Sequence, residues 1–230
     1  MSTLLFVHGS GCTGDAFAHQ LPEFDASIAP NLPGHAAPGS GASVAEFADF
    51  IEASIDERKL EDVVLCGNSL GGAIALEVAL RRNTAVVAIV LLGSGSRLKV
   101  APVFLEGLKV NFEATARQLA GYMFADPTPE RLAYAVESME RVGAAQTLRD
   151  FEACNAFDVT ERLAELSLPV LALTGELDAM TPPKYAHALA GRVPRCEVRI
   201  VPGAGHLVMM ERPAETNDAL RIFVQQVGSL

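Results

Sequence analysis

Residues 63–72 read Val63-Val64-Leu65-Cys66-Gly67-Asn68-Ser69-Leu70-Gly71-Gly72, and this stretch decides the fold. A short apolar run, Val63–Cys66, reads as a buried strand, and Leu70 to Arg82 carries the pattern of a helix. Between them lies Gly67-Asn68-Ser69-Leu70-Gly71, a G-x-S-x-G sequence. A chain with 19 glycines and twelve serines yields roughly 0.08 such matches by chance, so the context carries the meaning. A strand that turns sharply into a helix lifts a serine hydroxyl above the sheet. The turn forces the serine into an unfavourable backbone region. It also brings the residues two before and two after it too close for a Cβ, which calls for Gly67 and Gly71. Gly72 allows close helix–strand packing. The helix N-terminus beneath Ser69 places positive potential where an oxyanion would develop. Ser69 is the candidate nucleophile.

Outward from this turn, further runs read as parallel strands covered on both faces: Leu4–Val7, Val86–Leu92, Val170–Thr174 and Val198–Val201, with a weaker one at Ser27–Ala29. Helical patterns lie between them. Ser43-Val44-Ala45-Glu46 is a capping box, and Val44, Phe47, Ile51 and Ile55 share one face. Thr181-Pro182 and Pro213 signal two more helix starts. Strands alternating with helices predict a doubly wound α/β sheet of about six strands. Between Gly93 and Pro169 no strand is evident, although a parallel crossover needs only about a dozen residues. Four helices are expected there, around 103–110, 113–124, 129–142 and 144–157. The domain reading is a core of 1–96 and 166–230 with a helical cap inserted at 97–165.

A serine nucleophile needs a base, and the base needs an orienting acid. Of five histidines, His206 follows the last strand in Pro202-Gly203-Ala204-Gly205-His206, at the strand end where α/β sites form. His19 and His187 read as surface residues. Asp178 follows the Val170–Thr174 strand, with Glu176 as its rival. The order Ser69, Asp178, His206 suits this triad type. An oxyanion hole requires two N–H groups aimed at one point. Leu70, after the nucleophile, supplies one, and Ser10 in the His8-Gly9-Ser10-Gly11 turn supplies the other. His8 reads as a structural brace for that turn.

The 230 residues (24.3 kDa) are half hydrophobic and one-fifth charged, with a net charge of −10 and a pI of about 5.0. No basic cluster offers a face for nucleic acid, and an acidic surface is repelled by membranes. The longest strongly apolar run cannot span a bilayer, and the N-terminus has no cationic leader pattern. The four cysteines lack CxxC spacing. A cytoplasmic protein is expected, with no cofactor and no metal.

The segments Leu5-Phe6-Val7-His8-Gly9, Leu32-Pro33-Gly34-His35, Gly67–Gly72, Thr174-Gly175-Glu176-Leu177-Asp178 and Gly203–His206 together resemble the α/β-hydrolase superfamily. Within it the chain looks like the small cap-bearing carboxylesterases, enol-lactonases and methyl-ester hydrolases. The resemblance implies Ser69 as nucleophile, Asp178 as acid, His206 as base, Ser10 and Leu70 as oxyanion donors, and a helical lid. The chain departs from the family in starting at the His-Gly strand, without two preceding antiparallel strands. It also has Asn31 where Asp is frequent, Ala36 where Gly is frequent, and Asn68 where His is common.

The expected activity is hydrolysis of a small carboxylic ester with an apolar acyl or alcohol group. Phe104, Leu108, Phe112, Leu119, Tyr122, Met123 and Phe124 mostly pack the cap, and a subset is expected in the pocket with Leu207, Met209 and Met210. For Arg97, Arg117, Arg131, Arg141, Arg149 and Arg162 a solvated helix face is the favoured reading, with one of them a candidate to hold a substrate carboxylate. The same triad also serves lactone opening, C–C hydrolysis, perhydrolysis and hydroxynitrile lyase chemistry, and the fold serves small-ligand receptors.

Overall fold

The computed structural model describes residues 2–228. Six strands, β1 (Thr3–Val7), β2 (Ser27–Ile28), β3 (Val63–Asn68), β4 (Val86–Leu92), β5 (Val170–Gly175) and β6 (Cys196–Val201), form one sheet in the order β2-β1-β3-β4-β5-β6. Every pairing is parallel. The central strands are apolar along most of their length because both faces of the sheet are covered. Along β1, Leu5 and Val7 join one core layer while Leu4 and Phe6 join the other. This is the two-residue alternation of a strand. The edge strand β2 has only two residues, which limits the backbone left open for pairing.

The first layer is built from α1 (Val44–Glu57), α2 (Leu70–Leu80) and α7 (Lys184–Ala190). Ser43 caps α1 by accepting the Glu46 N–H, and the Glu46 carboxylate takes the Ala42 N–H, one residue before the cap. Helix α2 is apolar on nearly every side because it lies buried against the sheet. The second layer combines α9 (Pro213–Val227) and the short α8 (Val208–Glu211) with the helices that lie between β4 and β5.

Those helices are α3 (Pro102–Val110), α4 (Phe112–Met123), α5 (Pro129–Val142) and α6 (Ala144–Ala156), each within two residues of the expected bounds. Asn111 and Thr128 cap α4 and α5 through their side chains. The helix expected at Thr181-Pro182 begins instead at Lys184, with Pro183 as its N-cap. Thr181 does not cap it, because its hydroxyl is engaged by Asp178 and His206. The four-residue α8 carried no sequence signal and follows directly on the His206 loop.

Candidate active site

Ser69 joins β3 to α2 with φ 53° and ψ −113°, a backbone state costly for any residue with a Cβ. The turn is held from several sides. The Ser69 N–H donates to Leu92 O (3.0 Å), and the Ser94 hydroxyl donates to Ser69 O (2.9 Å). A Cβ at Gly67 would lie 2.0 Å from Gly71 O, and one at Gly71 would lie 2.0 Å from Val7 O. Both positions therefore admit only glycine. Leu70 is the first helical residue of α2, so its N–H has no carbonyl one turn back to bond.

Asp178 lies in the loop after β5 and His206 in the loop after β6. His206 Nδ1 donates to Asp178 Oδ2 at 2.9 Å. Both side chains are buried, at 3% and 0% exposure. The second Asp178 oxygen accepts the N–H groups of Met180 (2.9 Å) and Thr181 (2.8 Å), and the Thr181 hydroxyl donates to Oδ2 (2.8 Å). Burial alone would raise the Asp178 pKa. The charge of His206 and the bonds from His206 and Thr181 outweigh it and hold the carboxyl at about 2. Glu176 is exposed and accepts the Gly203 N–H at 3.0 Å, so it braces the base loop and does not meet the ring.

A carboxyl with a depressed folded pKa stabilises the fold above its unfolded pKa near 3.8, and the gain is lost as pH falls toward 2. The shift corresponds to about 2 kcal/mol. Urea unfolding of Asp178→Asn is therefore expected to show a shallower loss of stability between pH 5 and pH 2 than the parent chain. Parallel slopes would assign the acid sensitivity to other carboxylates.

His8 does not enter the site chemistry. Its Nδ1 donates to Gly9 O (3.0 Å), and its Nε2 accepts the Leu32 N–H (3.1 Å). Burial, reinforced by the nearby His35 charge, lowers its pKa to about 3, so the ring stays neutral. His19 and His187 are exposed.

Ser10, Ser69 and His206 line one cavity with Gly9, Asn68 and Thr181. Its free space is about 560 Å³ counted out to solvent. Cys12, Leu98, Val100, Met123 and Phe151 give it apolar walls, joined by Met180 and Leu207. Burial pushes the Cys12 and Cys154 thiols up to about 12, so both stay protonated. Of the apolar residues singled out in the insertion, Met123 reaches the cavity. Phe104 instead packs edge-on to Tyr122 (5.6 Å), and Leu108, Leu119 and Phe124 lie in the core. Phe112 packs against the same core. Leu207 lines the cavity, whereas Met209 is fully buried in the core and Met210 packs against it.

None of the six arginines lines the cavity. Arg97, Arg117, Arg141 and Arg162 pair with Asp158, Glu113, Asp15 and Glu165. Arg131 pairs with Asp126 and Glu211, and Arg149 does not line the cavity. The cation at the cavity is Lys99, whose ammonium donates to Asn155 O at 3.0 Å. Two polar residues, Asn68 and Glu211, hold the base loop. The Asn68 amide donates to Leu92 O (3.0 Å) and His206 O (3.3 Å). Glu211, in α8, accepts the N–H groups of Gly205, Ala125 and Asp126, tying the base loop to the end of α4.

Among the described residues, no group of three or more His, Cys, Asp or Glu side chains could hold a metal ion. No helix among them is long and apolar enough to cross a membrane.

The family model described as the alpha/beta hydrolase family matches residues 4–219. The dihydrolipoyllysine-residue acetyltransferase component of the acetoin cleaving system of Pseudomonas putida is 29% identical, over 97% of this chain. This chain spans only 63% of that protein's length. The pimeloyl-[acyl-carrier protein] methyl ester esterase of Vibrio atlanticus is 27% identical, over 97% of this chain and 94% of its own. Among solved structures, a thermophilic esterase is 33% identical at a TM-score of 0.87, over 98% of this chain and 90% of that one.

Proposed function

The chain belongs to the alpha/beta hydrolase family, and from that membership we propose that it cleaves carboxylic esters through an acyl-enzyme on Ser69. The observation that carries this reading is the strained Ser69 turn opening into the cavity lined by His206, whose ring is bonded to buried Asp178. The Ser69 hydroxyl oxygen attacks the ester carbonyl carbon as its proton passes to His206 Nε2. The carbonyl electron pair moves onto oxygen, where the N–H groups of Ser10 and Leu70 receive it. The pair returns, the C–O bond to the alcohol breaks, and the alcohol leaves with the proton from His206. Water repeats the sequence on the acyl-enzyme, releases the acid and restores Ser69. Asp178 keeps the proton on Nδ1, so that Nε2 faces the reaction as a base. No step calls for a cofactor or metal.

In this reading the helices within 97–165 form a cap over the site. The substrate is a small ester whose acyl or alcohol group is apolar, matching the walls formed by Leu98, Val100, Met123 and Phe151. The four free thiols favour a reducing cytoplasm. The test is a p-nitrophenyl ester series from acetate to palmitate. Each buried methylene is worth about 0.8 kcal/mol, so kcat/KM should climb about fourfold per carbon until the cavity is filled and then fall. A flat profile from acetate to palmitate would refute a shaped apolar pocket.

A further inference from the structure

The cavity walls, the buried ionisable groups and the contacts between the inserted helices and the sheet converge on one side chain. Gln146, Thr147, Asp150 and Cys154 lie on a single face of α6, and all four are buried, Asp150 completely. A polar helix face is costly to bury unless it is bonded. This one is bonded to the body of the molecule. Asp150 Oδ2 accepts the Gly11 N–H at 2.9 Å and lies 2.8 Å from His35 Nε2. Asp150 Oδ1 accepts from the Gln146 amide at 3.0 Å, and that amide also donates to Gly41 O at 2.8 Å. The other nitrogen of His35 lies 3.1 Å from Pro33 O, so Asp150 is keyed to two core loops at once.

Gly11 belongs to the Gly9–Cys12 turn, which is closed by the Cys12 N–H on Gly9 O (3.2 Å) and touched at two further points by the inserted helices. Gly11 has φ +64°, and a Cβ there would lie 2.6 Å from Met139 Cγ of α5. The Ser10 hydroxyl lies 3.5 Å from Cys154 Sγ of α6. A Gly-Ser-Gly segment has great conformational freedom of its own, yet an oxyanion donor must be held to within tenths of an ångström. A carboxylate bonded to the N–H of the residue after Ser10 supplies that restraint with a charge-assisted bond.

We propose that Asp150 is a positioning residue for the oxyanion hole: from the inserted helix α6 it clamps the Gly11 N–H and thereby sets the aim of the Ser10 N–H. This rests on the ester-hydrolase reading with Ser10 as donor. The inserted segment is then part of the catalytic apparatus as well as its cover.

The experiment compares Asp150→Ala and Asp150→Asn with the parent chain on p-nitrophenyl butyrate and on a trifluoromethyl ketone, which forms a tetrahedral adduct with a nucleophilic serine. Active sites are counted by exhaustive fluorophosphonate labelling. In Asp150→Ala, kcat per labelled site is expected to fall about 10–100-fold, with KM within twofold. The ketone inhibition constant should rise by the same factor. Asp150→Asn keeps an oxygen for the Gly11 N–H and should lose less on both measures. Arg141→Ala, which breaks an exposed tie between α5 and Asp15, should leave kcat unchanged. An unchanged kcat in either folded Asp150 variant, or a change confined to KM, overturns the proposal. So does failure of both variants to fold, because Asp150 would then serve the fold alone. Failure of the underlying reading looks different: the parent chain and Ser69→Ala would hydrolyse the ester at equal rates.

Discussion

Replacing Ser69 with alanine is expected to lower kcat/KM on p-nitrophenyl esters by about 10⁴-fold or more. His206→Ala should lose a similar amount. The double variant should be scarcely worse than either single one, because a nucleophile without its base and a base without its nucleophile fail at the same step. The expectation is clean because the hydroxyl does little for the fold. Ser69 makes no side-chain capping bond to α2, and its turn is held by its backbone N–H and carbonyl. The melting temperature of Ser69→Ala should therefore stay within a few degrees of the parent. Activated esters react slowly with many proteins, so the comparison must be made at matched protein concentration. Equal rates in the parent and all three variants would sink the esterase reading.

The largest structural effect is expected from Gly67→Ala. The added methyl would meet Gly71 O at 2.0 Å, Gly71 C at 2.1 Å and Gly72 N at 2.4 Å. All three are backbone atoms at the start of a buried helix, so no side chain can swing aside. Relief requires pulling α2 away from the sheet, at a cost above about 4 kcal/mol. Domains of ordinary stability have only about 5–15 kcal/mol in reserve, so the variant should be largely insoluble or melt far below the parent. Gly121→Ala is the matched contrast. It lies inside α4, and a Cβ there meets nothing within 4 Å. It should gain up to about 1 kcal/mol from helix propensity and a few degrees in melting temperature. Similar behaviour of the two variants would show that crowding around the Ser69 turn does not govern its glycines.

The contrast between these glycines also shows what a single sequence can reveal. The Ser69 turn, Asp178 and His206 were legible because each follows an apolar strand, and a strand end fixes where a loop residue emerges. Thr181 read only as a helix start, since nothing local says that its hydroxyl turns back to Asp178. Asp150 and Glu211 were silent for a related reason. Each holds backbone N–H groups, for Asp150 one 139 residues away, and a backbone group has no sequence identity. The apolar stripes between β4 and β5 satisfy the core first, as their helical spacing implies, and of the residues named there only Met123 reaches the cavity. Five of the six arginines pair with carboxylates within reach, in line with the solvated-face reading that their helical setting favours. The central strands β1, β3, β4 and β5 were the most legible feature, with a physical cause: burial on both faces leaves a nearly continuous apolar run, whereas the edge strands β2 and β6 are half-buried and mix in polar residues.

The strand order carries a cost during synthesis. β1, β3 and β4 lie side by side and can pair as soon as Leu92 has left the ribosome. The partner of β4 on its other side begins at Val170, 78 residues later (170 − 92). At translation rates of about 5–20 residues per second, the apolar Val86–Leu92 edge waits roughly 4–16 s for β5. Through that interval the nascent chain exposes a sticky strand edge, and the nascent inserted helices are the segment at hand to shield it. The helices between β4 and β5, one of which gives Phe151 and Cys154 to the cavity wall, thus also lengthen the time that this strand edge stays open.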